Sequence, residues 1–198
     1  MYSDDKLTVG NLTVRLEQDT DAMSPRDWDN VGVMVCWHRN YRLGDKHEFT
    51  SPQDFLESDE CKNAALVLPL GLIDHSGISM YIGSGAHSCD PGGWDSGQVG
   101  FVYVTKEKAR AEYGKRLTKK RLARLEECVR GEVKTYDDYL TGNVWGFVVE
   151  DEDGDTVDSC WGFVGDVDYA FAEGKAAAEC YLEQEAKAEQ SVRDSFAL

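Results

Sequence analysis

The sequence has no apolar run long enough to span a membrane. Its longer apolar stretches, such as Ala64–Leu68 and Val99–Val104, reach only the length of a strand, whereas a membrane-spanning helix needs about 20 residues. The start of the chain also lacks the basic and apolar regions of a secretory signal peptide. From these two absences we expect a cytoplasmic protein that has no contact with membranes.

Paired cysteines are absent as well. The cysteines are spread singly along the chain, without a CxxC motif or the spacing of zinc ligands. Cys36 and Cys160 fall in strand-like runs, and Cys128 and Cys180 in helix-like runs, where a free thiol commonly packs as a small apolar group. We therefore expect reduced structural thiols rather than disulfides.

Signature motifs of nucleotide-binding and hydrolytic enzymes are also missing. The glycine-rich segment 83–97 could direct backbone N–H groups at an anion, but no lysine follows in the P-loop pattern. Neither Ser76 nor Ser96 lies in the glycine elbow of a serine hydrolase. The sequence therefore predicts no cofactor. It leaves enzymatic activity open but favours a function without catalysis.

Positive charge is scarce and unevenly placed. The chain has 21 Lys and Arg against 37 Asp and Glu, which gives a formal net charge of −16. Residues 106–134 hold 11 basic and 5 acidic side chains, and residues 135–198 hold 3 and 16. A chain this acidic repels nucleic acid, so we expect no direct DNA binding. Three explanations remain for the acidity: solubility, adaptation to high salt, and imitation of the phosphate charge of a nucleic acid.

The segment Asn143–Gly165 carries the clearest structural pattern. Two runs of alternating apolar and polar residues flank Asp151–Asp155, and the Asp-Gly pair within it suits a tight hairpin turn. A shorter hairpin is predicted around Gly10 for the same reasons. Hairpins of this kind, followed by helices, predict an α+β fold with a mostly antiparallel sheet.

Two helices are predicted to pack on this sheet. Thr118 caps a long amphipathic helix that continues to about Leu140, with one apolar stripe along it. An alanine-rich helix follows from Tyr169 to about Glu189. We expect a single α+β domain over residues 1–190 and a terminal tail, residues 191–198, that frays.

Two strand predictions depend on local composition. Val31–Trp37 is almost continuously apolar, so we expect a central strand that is covered on both faces. Pro69 interrupts a second apolar strand run, and because proline cannot donate to a ladder, it predicts a sheet edge, a bulge or a strand end.

Two motifs that combine tryptophan and glycine are distinctive, YLTGNVWGF within residues 136–154 and DSCWGFVG at residues 158–165. Together with WDSGQVGFVYV at residues 94–104, they resemble a family of acidic proteins encoded by bacteriophages and other bacterial mobile elements. The resemblance covers most of residues 24–165 and implies a bacterial host cytoplasm. It implies no catalytic residues, but small acidic proteins of such elements often inhibit host defences.

Histidine and cysteine residues near the glycine-rich segment provide a weak case for chemistry. A carboxylate beside an imidazole, as in Asp74-His75, can orient the ring for general-base catalysis, although neighbours on an extended chain point to opposite faces. Imidazole, thiolate and carboxylate are zinc ligands, but only one close pair of them is present here. The weak candidates for a metal-dependent or His/Cys enzyme are His75, His87 and Cys89.

Cations crowd the start of the long predicted helix, where the helix dipole already disfavours positive charge. The protein's own acidic surface could compensate them, and so could a phosphate-bearing ligand bound here and at the glycine-rich segment. The second reading makes the protein a module that sequesters a phosphorylated nucleotide signal. The residues of this alternative anion-binding site are Lys115, Arg116, Lys119, Lys120, Arg121 and Arg124.

The acidic C-terminal third supports the leading hypothesis. Carboxylates fixed on a hairpin and on helix ends could approximate the charge of a duplex backbone and occupy the basic groove of another protein. We therefore expect an anti-CRISPR or antirestriction inhibitor whose partner is a host defence protein or a nucleic-acid-binding complex. A homo-oligomer is left open. The predicted partner-binding residues are Asp137, Asp138, Glu150, Asp151, Glu152, Asp153, Asp155, Asp158, Asp166, Asp168 and Glu173.

Overall fold

The computed structural model describes residues 6–196 and shows an α+β protein with antiparallel sheets, as the sequence predicts. Predictions that fall on residues 1–5 and 197–198 lie outside the described residues. The strands are β1 Lys6–Val9, β2 Leu12–Gln18, β3 Val33–Cys36, β4 Ala64–Asp74, β5 Ile78–Ile82, β6 Ser96–Thr105, β7 Val144–Glu150 and β8 Thr156–Val164. The helices are α1 Pro52–Glu57, α2 Asp59–Lys62, α3 Lys106–Tyr113, α4 Lys119–Leu140 and α5 Val167–Phe196, with a short 3-10 helix at Pro25–Asp27.

The chain divides into two compact units, each with its own four-stranded sheet. The terminal unit comprises residues 1–23 and 142–198, and the inserted unit comprises residues 24–141. The sequence predicts one sheet, whereas the strands form two. Alternating apolar residues show that a strand has a buried face, but they do not show which strands pair.

The sheet of the terminal unit has the order β1-β2-β7-β8, with every neighbouring pair antiparallel. Helix α5 packs on the face that carries Val14 and Phe147. Gly174 allows this close packing, because a Cβ atom there would lie 2.7 Å from the Val14 side chain and 3.0 Å from that of Phe147. The helix therefore lies close against the middle of the sheet.

The predicted hairpin is confirmed. Asp151 and Asp155 are joined by a backbone hydrogen bond of 3.0 Å, and Gly154 adopts a φ of 84° that favours glycine. The Asp151 carboxylate accepts hydrogen bonds from the backbone N–H groups of Asp153 and Asp155, at 3.0 and 2.9 Å. This Asx-type arrangement fixes the turn that joins β7 to β8. The predicted hairpin around Gly10 is confirmed as β1 and β2.

Helix α5 is longer than the alanine-rich pattern predicts, since it begins at Val167 and continues to Phe196. Residues 191–196, predicted as part of a tail, thus belong to the helix. Leu182 is the last residue of α5 that packs against the sheet, and residues 183–195 are all exposed. The second half of the helix is therefore held by its own hydrogen bonds and surface ion pairs.

The sheet of the inserted unit has the order β3-β6-β4-β5. Helix α4 covers one face with the predicted stripe, of which Leu125, Val129 and Val133 are at most 3% exposed. Thr118 caps this helix by accepting a hydrogen bond from the Arg121 N–H, as predicted. The opposite face of the sheet is covered by a smaller cluster around the fully buried Phe55.

The predicted central position of the strand in Val31–Trp37 is wrong, because β3 is an edge strand that pairs only with β6 within its sheet. Its predicted coverage on both faces is confirmed, since Met34 and Val35 point to opposite faces and both are 0% exposed. A continuous apolar run reports that both faces are buried. It does not require a strand neighbour on each side.

Pro69 lies within β4, between β6 and β5. Its carbonyl accepts a hydrogen bond from Gly83, so its nitrogen also points to the side of β5. The ladder between β4 and β5 ends at Ile82. The N–H group that Pro69 lacks would lie at this end of the ladder. The predicted sheet edge and the predicted end of its own strand are wrong, since Pro69 is the sixth of the 11 residues of an inner strand, but the ladder with β6 shifts register just beyond it, between Leu70 and Gly71.

The cysteines are all free, but they are less buried than expected. Burial raises the pKa of the Cys36 thiol to about 12, so this side chain stays protonated at neutral pH. Cys160 and Cys180 are exposed instead of packed. The first lies on the edge strand β8, and the second lies on the outer side of α5, which the residue patterns do not distinguish from the inner positions.

A buried arginine holds the irregular segments of the inserted unit. The Arg26 side chain is only 5% exposed and donates to both carboxylate oxygens of Asp45, at 3.0 and 2.6 Å. Asp45 also accepts the Met34 N–H, and Arg26 donates to the Gly32 carbonyl at 2.6 Å. Glu132 of α4 lies 4.0 Å from the same guanidinium and accepts two backbone N–H groups of the segment before β3. The Arg26 guanidinium and its carboxylate neighbours thus link β3, the segment before β3 and α4.

We predict that Arg26→Met lowers the free energy of unfolding by about 3 kcal/mol, because it leaves two mostly buried carboxylates without their counter-charge. The matched control is Arg130→Met, since Arg130 forms an exposed pair with Glu126 on α4 that is worth less than about 1 kcal/mol. Urea unfolding followed by tryptophan fluorescence measures both losses. Equal losses in the two variants would contradict the structural role given to Arg26.

Candidate functional site

Negative charge is concentrated in one of the two units. The terminal unit contains 19 Asp and Glu against 5 Lys and Arg, for a net charge of −14. The inserted unit contains 18 and 16, for a net charge of −2. The acidity of the chain is therefore a property of the terminal unit. The counts for residues 106–134 and 135–198 do not show this division, because the unit joins both ends of the sequence.

Within the terminal unit, residues 142–174 contain nine carboxylates and no Lys or Arg. Among residues 6–196, only Glu150 of these nine has a basic side chain within 4.0 Å, namely Arg15 of β2 at 2.6 Å. We call this set the acidic surface. It consists of Glu150, Asp151, Glu152, Asp153, Asp155, Asp158, Asp166, Asp168 and Glu173.

The tip of the β7–β8 hairpin contributes most of the acidic surface. Glu152, Asp153, Asp155 and Asp158 are exposed, and the turn that carries the first three is fixed by the Asp151 carboxylate. The hydrogen bonds that the Asp151 carboxylate accepts fix the turn backbone from which the neighbouring carboxylates project. The hairpin tip is thus a rigid acidic element with almost no internal neutralisation.

The start of α5 provides the second part of the acidic surface, at the opposite end of the nine-residue strand β8 from the hairpin tip. The Asp166 carboxylate accepts the Tyr169 N–H at 2.8 Å, in the manner of a helix cap. Asp168 lies in the first turn, where the helix dipole favours negative charge. Glu173 is exposed one turn later, and its hydrogen bond with Tyr169 raises the pKa of that phenol. These carboxylates are stable where they are without a basic partner.

Asp137 and Asp138, which are also predicted as partner-binding residues, lie in the inserted unit near the end of α4. The Asp137 carboxylate accepts hydrogen bonds from the Ser79 hydroxyl and the Met80 N–H, at 2.9 and 2.8 Å. Asp138 is 7% exposed and pairs with Lys134 at 2.6 Å. Both carboxylates therefore have internal structural partners, in contrast to the exposed ones of the hairpin.

The second half of α5 adds acidic residues that the sequence analysis does not single out. They differ from the acidic surface because several have a basic residue four positions away. Glu183 pairs with Lys187 at 3.5 Å, and Glu189 pairs with Arg193 at the same distance. The alternating charges of the alanine-rich helix are the signal for such pairs, and they reduce its contribution to the net field.

The predicted basic cluster lies at one end of the inserted unit, where α3 ends and α4 begins. All of its members are exposed, and within residues 6–196 none has a carboxylate within 4.0 Å. The glycine-rich segment 83–97 lies at the start of β6, and the basic cluster follows the end of this ten-residue strand. The structure therefore does not bring these two predicted anion-binding elements together. The members are Lys115, Arg116, Lys119, Lys120, Arg121 and Arg124.

The histidine and cysteine candidates form two separate pairs. His75 Nδ1 lies 2.9 Å from Asp95, with both side chains exposed, and His87 Nδ1 lies 2.9 Å from Cys89 Sγ. The Ser96 hydroxyl is occupied by Asp90 and by the His87 N–H, so it is not presented to an imidazole. Within the described part of the chain, no three His, Cys, Asp or Glu side chains are grouped as a metal site.

The Arg15–Glu150 pair generates a pH prediction. Its hydrogen bond lowers the pKa of the Glu150 carboxyl, so the folded protein binds this proton less readily than the unfolded chain does. The stabilisation is therefore complete above the unfolded pKa and is lost as the pH falls through the lower folded pKa. We expect Glu150→Gln to lower the stability at neutral pH and to have little effect at the acidic end, measured by urea unfolding across this range.

The control for this comparison is Glu152→Gln, which removes an exposed carboxylate that has no basic partner among the described residues. This variant should not lose stability at neutral pH. A Glu150→Gln effect that is independent of pH would exclude the ion pair as its cause.

The surfaces described above are the evidence on function, because comparison with known proteins adds none. Over residues 6–196, no helix combines the length and apolar character that a membrane span requires. The resemblance to proteins of bacteriophages and mobile elements stays a prediction. No protein-family model matches the chain, and searches of curated proteins and of solved structures find no match.

Proposed function

We propose that the protein is a non-enzymatic inhibitor of a bacterial defence system, of the anti-CRISPR or antirestriction type. In this proposal the acidic surface of the terminal unit occupies a basic nucleic-acid groove on a host protein. The observation that carries the proposal is the absence of Lys and Arg from residues 142–174, which hold nine carboxylates. A phage or mobile-element origin, which the sequence resemblance implies, supplies the biological setting.

The electrostatics of the terminal unit favour a cationic protein partner. A net charge of −14 on about 80 residues produces a field that speeds encounter with a positively charged groove and repels nucleic acid. Duplex DNA presents about one negative charge per 1.7 Å of its axis, and a competitor must present carboxylates at comparable density. The hairpin tip supports the proposal because it gathers four exposed carboxylates within the seven residues 152–158.

Rigidity makes these charges effective. The tip is held by backbone hydrogen bonds and by the Asp151 carboxylate, and the start of α5 is capped by Asp166. Charges on such elements lose little conformational freedom on binding, so more of the electrostatic attraction appears as affinity. Bound in the groove, the carboxylates exclude nucleic acid by competition, and no bond needs to be made or broken.

The test uses purified defence effectors with basic nucleic-acid channels, namely a CRISPR nuclease and a restriction enzyme. Displacement of a fluorescent DNA duplex from each effector is measured by anisotropy at several salt concentrations. We expect displacement at low salt, and we expect direct binding of the protein to each effector, measured without DNA, to weaken as salt rises because salt screens the attraction between exposed charges. Failure to displace DNA from any such effector, or to inhibit defence in cells, would reject the proposal.

Substitution of the hairpin carboxylates tests the assignment of the surface. The tip variant carries Glu152→Gln, Asp153→Asn, Asp155→Asn and Asp158→Asn, all at exposed positions. At about 0.5 kcal/mol for each exposed charge, we expect displacement to weaken about 30-fold.

The matched control removes the same number of charges from the inserted unit, through Glu48→Gln, Glu57→Gln, Glu60→Gln and Glu127→Gln. We expect a much smaller effect in this variant. Equal weakening in both variants would show that net charge alone acts, and would remove the role given to the hairpin tip.

A further inference from the structure

The inserted unit contains a cationic cavity that the proposed inhibition does not use. The cavity has a volume of about 430 Å³ and lies between the start of β4, helix α3 and the turn that precedes α4. Four of its lining residues are cationic, and they come from two separate elements. They are Lys106 and Arg110 of α3 and Lys115 and Arg116 of the turn. The apolar lining is formed by Ala64, Ala65, Leu117 and Leu122.

The cations of this cavity lack internal partners. Within residues 6–196, no carboxylate lies within 4.0 Å of any of the four, and the same holds for the four neighbouring cations at the start of α4. By contrast, Lys108, Arg130 and Lys134, on the same two helices, each have a carboxylate at 3.2 Å or less. These cations repel one another without local compensation, although the protein carries an excess of 16 negative charges. Such an arrangement indicates an anionic ligand.

The turn that carries Lys115 and Arg116 is ordered before any ligand binds. Gly114 ends α3 with a φ of 92° and donates its N–H to the Arg110 carbonyl at 3.0 Å. At the other end, Arg121 donates from Nη1 to the Arg116 carbonyl at 2.9 Å. The backbone positions of the cationic residues are therefore fixed, which lowers the entropy cost of binding.

We propose that this cavity binds a small ligand with clustered phosphate groups, of the size and chemistry of a nucleoside diphosphate. Four cations within one cavity suit two adjacent phosphates, whereas a single phosphate would leave most of their charge unmatched. The alanine and leucine side chains offer an apolar wall for a base or a sugar, and the volume falls in the range of small-molecule sites. The cavity lies within the inserted unit, so this inference does not depend on the proposed inhibition.

A long nucleic acid is a poorer occupant than a small phosphorylated ligand. A duplex extends well beyond the cavity and is repelled by the net charge of −16 on the chain. A ligand confined to the cavity is screened from distant carboxylates beyond about 8 Å at physiological ionic strength. The small ligand therefore gains the local attraction without the long-range penalty.

Isothermal titration calorimetry of the full chain with ADP, pyrophosphate, inorganic phosphate and a short DNA duplex tests this proposal. At 50 mM salt we expect ADP to bind with a dissociation constant below 1 mM, more tightly than pyrophosphate, and phosphate and the duplex to bind at least tenfold more weakly than ADP. Absence of heat with both ADP and pyrophosphate would overturn the site. Tighter binding of the duplex would overturn the ligand class, and equal binding of ADP and pyrophosphate would overturn the nucleoside part.

The variant Arg110→Gln/Arg116→Gln removes one lining cation from α3 and one from the turn that precedes α4. We expect a loss of ADP affinity of at least 30-fold and a shallower salt dependence. The matched control Lys108→Gln/Arg130→Gln removes two cations that are paired elsewhere, and it should bind ADP within about threefold of the unsubstituted protein. Circular dichroism confirms that each variant is folded, and equal losses in the two would assign the binding to net charge and overturn the site.

Discussion

The buried Arg26 guanidinium is the interaction on which the inserted unit depends. An arginine loses strong hydration when it is buried, so it must find carboxylates and carbonyls in fixed positions. Asp45 and Gly32 meet this requirement, and each belongs to a segment without regular secondary structure. Glu132 lies 4.0 Å from the same guanidinium and accepts the Val31 and Gly32 N–H groups, which links the segment before β3 to α4. The edge strand β3 and helix α4, whose Leu122 lines the cationic cavity, are therefore linked through the same group of charged residues.

The separation of charge between the units gives the molecule two different kinds of surface. The terminal unit exposes carboxylates on elements stabilised by backbone hydrogen bonds, whereas the inserted unit is close to neutral overall but carries a local group of unpaired cations. The net charge of the whole chain conceals this arrangement. A surface with a large uniform charge suits a broad groove, and a small cavity with four cations suits a compact anion. The two proposals therefore concern different ligands and different parts of the chain.

Local features of the fold could be predicted from the sequence, and long-range ones could not. Asp153-Gly154, Thr118 and the stripe of α4 fix a turn, a cap and a buried face, because each acts over a few residues. The pairing of β2 with β7 joins residues separated by the whole inserted unit, which no local pattern encodes. The same limit applies to the sites: Lys106 and Arg110 join the basic cluster only through the packing of α3, and Asp137 is occupied by a strand that lies far away in sequence.

The terminal unit is assembled from both ends of the chain, and this has a consequence for biosynthesis. The β1–β2 hairpin is synthesised before the inserted unit, but two strands alone are marginally stable and must wait for β7. At about 10 residues per second, the 118 residues of the inserted unit delay that strand by roughly 10 s, which is ample time for the inserted unit to fold. A nascent chain thus acquires its cationic cavity before its acidic face, because residues 142–174 are synthesised after the inserted unit.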